Sequence, residues 1–157
     1  MSSVSFIIPV YNKSSFLNHV IKCLKNQSGD FEREFIFIDD GSTDESYEII
    51  MSLTKELENT KIFRQKNMGS ANATNTGIKN AQMKYLKFLD ADDIILSETT
   101  SALMNILERT SDLVLVYGLQ RKVMNLNDVN IFEKFDKTDF SIIHNPIKRA
   151  MRNSMFN

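Results

Sequence analysis

Tyr85-Leu86-Lys87-Phe88-Leu89-Asp90-Ala91-Asp92-Asp93 runs from an apolar segment into three acids within four positions. A strand that delivers carboxylates to its carboxyl end contributes little to a core, but it is well placed to hold a cation. In an extended chain, residues two apart point to the same side. That spacing predicts Asp90 and Asp92 on one crevice and Asp93 turned away.

The segments around this stretch repeat one pattern. Val4 to Val10 reads as a buried strand ended by Pro9, because proline cannot donate to a ladder. Ser14 or Ser15 then caps a helix with the stripe Phe16, Leu17, Val20, Ile21 and Leu24. Phe35 to Ile38 is a second strand, ending at Asp39-Asp40-Gly41. Ser42-Thr43-Asp44-Glu45 opens a helix striped by Tyr47, Ile50, Met51, Thr54 and Leu57. Lys61 to Arg64 is a third strand. After it come Asn67-Met68-Gly69-Ser70 and a weakly amphipathic helix through Ala71, Asn75, Ile78 and Ala81, with Gly77 inside it marking close packing on a strand. Beyond the acid cluster, Ser97-Glu98 opens a helix with Leu103, Ile106 and Leu107 inward, and Leu113 to Tyr117 reads as a buried strand.

This β-α alternation predicts an α/β fold: a mostly parallel, twisted, Rossmann-like sheet with helices on both faces. Ligands of such sheets bind beyond the carboxyl ends of the strands. Pro9–Tyr11, Asp39-Asp40 and Asp90–Asp93 all fall there. The predicted division is a core over residues 1–124, followed over residues 125–157 by a partial further segment or a tail of the same domain.

Bulk composition narrows the function classes. With 19 basic and 20 acidic residues the net charge is -1, which offers no excess of cations for nucleic-acid phosphates. The lone Cys23 has no partner for a disulfide within the chain and reads as a packing residue. No basic, apolar leader is read at the N-terminus. The apolar runs, about five to seven residues, fall short of a spanning helix. The expectation is a cytoplasmic protein, with peripheral membrane contact and homo-oligomerisation left open.

Carboxylates gathered round one crevice repel each other unless one takes a proton or a cation sits between them. Magnesium-type ions use one or two carboxylates and complete their shell with water and phosphate oxygens. Asp90 and Asp92 match such an incomplete cage. By itself the cluster reads equally as a turn, and Asp39–Asp44 reads equally as a strand–turn–helix junction. Adjacent residues face opposite ways, so one of Asp39 and Asp40 is expected to face a ligand and the other to tie down the loop.

Four motifs in register resemble the inverting GT-A glycosyltransferases of family 2: Pro9-Val10-Tyr11-Asn12, Asp39 to Asp44, Asn67-x-Gly69 with Ala73-x-Asn75-x-Gly77, and Leu89 to Asp93. The resemblance covers residues 4–117. It implies transfer of a sugar from a nucleotide-diphosphate donor, UDP first among the nucleotides, to a carbohydrate or lipid-linked acceptor in polysaccharide biosynthesis. It implies Pro9 and Tyr11 in the nucleoside pocket and Asp40 rather than Asp39 on the base. Asn67, Gly69 and Ala91 join the nucleotide site. Asp90 lies near ribose and metal, and Asp92 is the main ligand of Mn or Mg.

Two departures stand out. Thr74 occupies a place where the family often has arginine, leaving Lys66 or Arg64 as substitutes. The family's general base lies further downstream, in an acceptor-binding half of which this sequence shows little. Glu133, Asp136 and Asp139 match no base motif, so no catalytic residue is assigned. The alternative is a noncatalytic nucleotide-sugar-binding remnant or interaction module. The apolar strand followed by Asp90-x-Asp92 also imitates the haloacid-dehalogenase phosphatases, which carry that motif near the chain start.

Overall fold

The computed structural model describes residues 2–110, 115–118, 122 and 129. Four strands, β1 (Ser3–Val10), β2 (Glu32–Asp39), β3 (Thr60–Arg64) and β4 (Tyr85–Phe88), form one sheet in the order β3-β2-β1-β4. Every pairing is parallel. Between and after the strands lie α1 (Ser14–Lys25), α2 (Ser46–Leu53), α3 (Ser70–Asn80) and α4 (Thr99–Arg109).

Both faces are covered, as the alternation implied. On one face Phe6, Ile8, Phe35 and Phe37 of the central strands meet Leu17, Val20, Ile21 and Leu24 of α1, Ile50 of α2 and Met104 of α4. On the other, Ile7, Ile36 and Ile38 meet Ala73 of α3. The second face has a thin core because α3 approaches very closely. A Cβ built on Gly77 lies 2.4 Å from Ile7 Cγ2 and 2.9 Å from Ile38 Cδ1. The glycine marks close approach, as its place in the sequence implied.

Several local readings are corrected. β1 does not end at Pro9, which pairs with Ile38 before the strand closes at Val10. Residues two apart in a strand direct their backbone groups to the same neighbour. The Ile7 carbonyl accepts from the Leu89 N–H on the β4 side. The Pro9 nitrogen faces that side too, where pairing with β4 has stopped, so no ladder donor is lost. Neither Ser14 nor Ser15 is the N-cap of α1; Lys13 is. α2 begins at Ser46, and Met51 is exposed while Ile50 and Thr54 are buried.

The inward face of α3 is Ala73 and Gly77, not Ala71, Asn75 and Ile78, which are exposed. α4 buries Thr100 and Met104, with Leu103, Ile106 and Leu107 only half-buried. β4 is shorter than expected and alternates half-buried with exposed residues, Leu86 and Phe88 lying open. Leu115 to Gly118 belong to no strand, and Leu115 and Tyr117 are exposed. The remainder of that predicted strand, the 124/125 division, and the tail with Phe132, Phe135, Phe140, Glu133, Asp136, Asp139 and His144 lie outside the described residues.

Cys23 is buried, and burial pushes its thiol up to about 11. It is a packing residue, not a thiolate nucleophile. No helix among the described residues is long and apolar enough to cross a membrane.

Gly77→Ala tests the contact that sets α3. Alanine favours the helix by roughly 1 kcal/mol, but overpacking against Ile7 and Ile38 costs about 1–3 kcal/mol. A lower urea midpoint is expected. An unchanged or higher midpoint shows that α3 can shift to admit the methyl group.

Candidate donor-binding site

The order β3-β2-β1-β4 reverses direction between β1 and β4, because β2 and β3 lie on one side of β1 and β4 on the other. In open α/β sheets that reversal opens a crevice beyond the strand ends. Pro9 to Tyr11 leave β1 on one side of it. The acid turn leaves β4 on the other.

The β1 loop is locked to the loop after β2. Asn12, in the left-handed region at φ 51°, accepts from the Thr43 N–H at 2.8 Å through Oδ1. Its own N–H donates to Ser42 Oγ at 3.0 Å, and the Lys13 N–H donates to Ser46 Oγ at 2.8 Å. The Ser14 N–H, at the start of α1, donates to Asp44 Oδ2 at 3.0 Å. A carboxylate from a neighbouring loop thus does the work expected of a serine cap, where the helix dipole favours negative charge.

Asp39 and Asp40 are both buried, and both have internal partners. Asp39 Oδ1 accepts from the Ser42 N–H at 3.2 Å. Its Oδ2 lies 3.0 Å from Arg64 Nε, an ion pair without hydrogen-bond alignment. Asp40 Oδ1 accepts from Gln65 Nε2 at 2.8 Å and the Met68 N–H at 3.0 Å, and Oδ2 from the Gly69 N–H at 2.8 Å. Both acids therefore hold loops, Asp39 the start of its own turn and Asp40 the loop after β3. Gly41 lies between them and the third loop, at φ 73°, where a Cβ would meet Asn67 N at 2.8 Å.

The acid cluster is a turn rather than a continuing strand. β4 ends at Phe88, and the Asp93 N–H donates back to the Asp90 carbonyl at 3.0 Å. The two-residue alternation therefore stops before Asp90. Asp93 is not set apart from the other acids. Burial first, then the charges of Asp90 and Asp92, raise its carboxyl, against a lowering by Lys13. Lys13 Nζ reaches across the crevice to Asp92 Oδ2 at 2.5 Å, both side chains about one-third exposed (33% and 38%). Ala91 is buried and Asp90 exposed.

Of the other residues named from sequence, Pro9 is half-buried and Tyr11, Asn67 and Gly69 are exposed on the same edge. Arg64 is taken by Asp39 and also stacks over Tyr47, 4.5 Å from the ring centroid. Lys66 is exposed. Among the described residues, no group of three or more His, Cys, Asp or Glu side chains is arranged to hold a metal. The larger concavity, about 540 Å3, lies near Phe31, Arg33, Phe35 and Glu56, away from these acids, and an open groove of about 370 Å3 borders Gln65, Met68 and Thr76.

The sequence reading missed Asn12 and Lys13 as organisers. A signal was available for the first, since an asparagine directly after a strand is a common left-handed residue; Lys13 and Asp92 are 79 positions apart and meet only in the fold.

Asp44 provides a pH handle. Burial works to raise its carboxyl, but hydrogen bonds from Ser46 and Ser14 outweigh it and hold the value at about 2, below the ordinary 3.8. A depressed carboxyl stabilises the fold above its unfolded value and loses that contribution as pH falls towards the folded one. Stability should therefore decline between about pH 4 and pH 2 more steeply in the native chain than in Asp44→Asn. Parallel acid-denaturation curves for the two would remove Asp44 from this role.

Comparison with known proteins agrees with this geometry. Residues 5–154 match the model of Glycosyl transferase family 2. An uncharacterized glycosyltransferase of Haemophilus influenzae is 40% identical over 119 residues, covering 75% of this chain and 47% of the relative. The poly(ribitol-phosphate) beta-N-acetylglucosaminyltransferase TarP of Staphylococcus aureus is 32% identical over 96% of this chain and 47% of its own. The chain thus spans about half the length of these curated relatives. Among solved structures, S. aureus TarS in complex with UDP-GlcNAc superposes with TM-score 0.61 at 27% identity, over 69% of this chain and 32% of that one. The mannosyltransferase PcManGT of Pyrobaculum calidifontis, in complex with GDP-Man and Mn, superposes with TM-score 0.61 at 21% identity over 66% of this chain and 32% of its own, a likeness of fold. The sheet is that of a GT-A glycosyltransferase, and the chain belongs to glycosyl transferase family 2.

Proposed function

We propose that this chain forms the nucleotide-sugar donor site of a metal-dependent inverting sugar transfer, with UDP the first nucleotide to test. The observation that carries this reading is the meeting of the Tyr11 loop and the acid turn across the crevice between β1 and β4, tied by Lys13 and Asp92. The TarP and TarS relatives, one named for N-acetylglucosamine transfer and the other bound to UDP-GlcNAc, support the choice of donor class.

In this reading Pro9 and Tyr11 line the nucleoside pocket, and the exposed Tyr11 ring offers a face for the base. An ionised carboxylate has about four acceptor positions. Asp40 uses three, on Gln65, Met68 and Gly69, and the one left on Oδ2 can accept a ring N–H of uracil or guanine. The Asn67–Gly69 loop, fixed by those same bonds, forms the adjoining wall. Asp90 and Ala91 lie beside the ribose.

Asp90 and Asp92 fit a Mn or Mg ion by charge. Three acids share one turn, Lys13 is the cation paired with Asp92 among the described residues, and burial together with the charges of Asp90 and Asp92 raises the Asp93 carboxyl. Two carboxylates leave the other positions to water and diphosphate oxygens, which magnesium-type ions accept. The chemistry such an ion supplies is to offset charge on the departing diphosphate. The acceptor hydroxyl needs a general base to deprotonate it as it attacks, and no described residue is assigned to that step.

Calorimetric titration with UDP, GDP and their sugar conjugates, with and without Mn, tests the reading. UDP or UDP-sugar should bind only with the metal, and Asp92→Ala should weaken binding at least tenfold. Equal binding by the native chain and Asp92→Ala would sink the metal assignment. Binding with neither transfer nor slow sugar-nucleotide hydrolysis would leave the chain a donor-binding module.

A further inference from the structure

We infer that Lys13 is an exchangeable counter-cation of the acid turn, occupying Asp92 until a divalent ion displaces it. The inference rests on the donor-site reading above. Its Nζ lies 2.5 Å from Asp92 Oδ2, the same carboxylate assigned to the metal. A carboxylate oxygen engaged this closely by an ammonium cannot also accept a divalent ion at coordination distance without repelling the ammonium, since like charges a few ångströms apart are costly even in a partly polar medium.

The Asp92 turn also carries Asp90 and Asp93, and the described ion pair to it is the one from Lys13. Nothing else described fills that role. Arg64 pairs with Asp39, Lys61 with Glu34 and Lys25 with Glu56.

The ammonium belongs to the loop that carries Tyr11. The Lys13 backbone is fixed, through its N–H on Ser46 and the neighbouring Asn12 N–H on Ser42. The side chain alone is free to leave Asp92, so exchange needs no movement of the loop. Displaced, the ammonium remains beside the crevice, held there by the fixed Lys13 backbone.

Binding of Mn alone, followed by calorimetry, reads this directly. Lys13→Gln keeps most of the side chain and removes the charge. It should bind Mn about fivefold more tightly than the native chain, a size set by the solvent screening of a half-exposed pair. Lys13→Arg should retain the weaker native affinity. In an Asp92→Asn background, Lys13→Gln should bring no further gain, because the competition has lost its object.

Unchanged or weaker Mn affinity in Lys13→Gln overturns the inference. So does an equal gain in the Asp92→Asn background, which would mark a general effect of charge. If Mn-dependent UDP binding is present while Lys13→Gln leaves Mn affinity unaltered, this inference falls alone. If the native chain binds neither Mn nor UDP with Mn, the donor-site reading falls and this inference with it.

Discussion

A parallel pair of strands cannot close through a tight turn; the chain must cross back over a face of the sheet before it can pair again. With β1 paired in parallel to both β2 and β4, every strand described here begins at one edge and ends at the other. All loops that leave strands at their carboxyl ends therefore share one rim. No residue of the site chose that location individually. Once the crossovers had placed α1 and α2 on one face and α3 on the other, the Tyr11, Asp40 and Asp90 segments had to meet.

Gathering so many acids on one rim carries an electrostatic cost, and the molecule meets it in two different ways. Asp39, Asp40 and Asp44 are matched by internal partners: the Arg64 charge and a backbone N–H for the first, three N–H groups for the second, and two serines, Ser46 and the first residue of α1, for the third. Such carboxylates are built into the frame. Asp90, Asp92 and Asp93 have no comparable set. Among the described residues Lys13 pairs with Asp92, and burial and the neighbouring charges raise the Asp93 carboxyl. The contrast separates acids that hold the site from acids able to act in it, a distinction that Asp-rich motifs do not carry in their letters.

Much of the frame was legible because it depends on periodicity and on short apolar runs. The order of elements, the parallel sheet and the close approach at Gly77 follow from residue spacing and size. What escaped depends on which neighbour is present. Pro9 sits inside a strand only because β4 stops opposite it. The start of α1 is capped by Asp44, thirty positions away, where the local rule looks to Ser14. Met104 is buried and Met51 exposed for reasons of helix placement that the apolar stripe alone could not rank. The two-residue alternation also failed at the acid cluster, because the strand gives way to a turn one residue after Phe88. The motifs name the expected site residues, whereas their internal partners, Asn12, Lys13 and Gln65, are visible only once the loops are brought together.

The two walls of the crevice are consequently unlike in strength. On the Asp40 side, the Asn67–Gly69 loop is fixed by N–H groups that donate to a buried carboxylate, and α3 behind it is set by contact between Gly77 and the side chains of Ile7 and Ile38. Gln65 ties the two together, donating to Asp40 and accepting from Thr76 of α3. Moving that wall would break several buried contacts at once. On the other side, the described link from the Tyr11 loop to the acid turn is an ion pair between two half-exposed groups, which water and salt weaken. A charged ligand entering between the walls would meet a nearly fixed surface where it is recognised and an adjustable one where its charge is met. The weaker of the two described attachments thus lies on the acid side of the crevice, where any added cation would compete with Lys13 for Asp92.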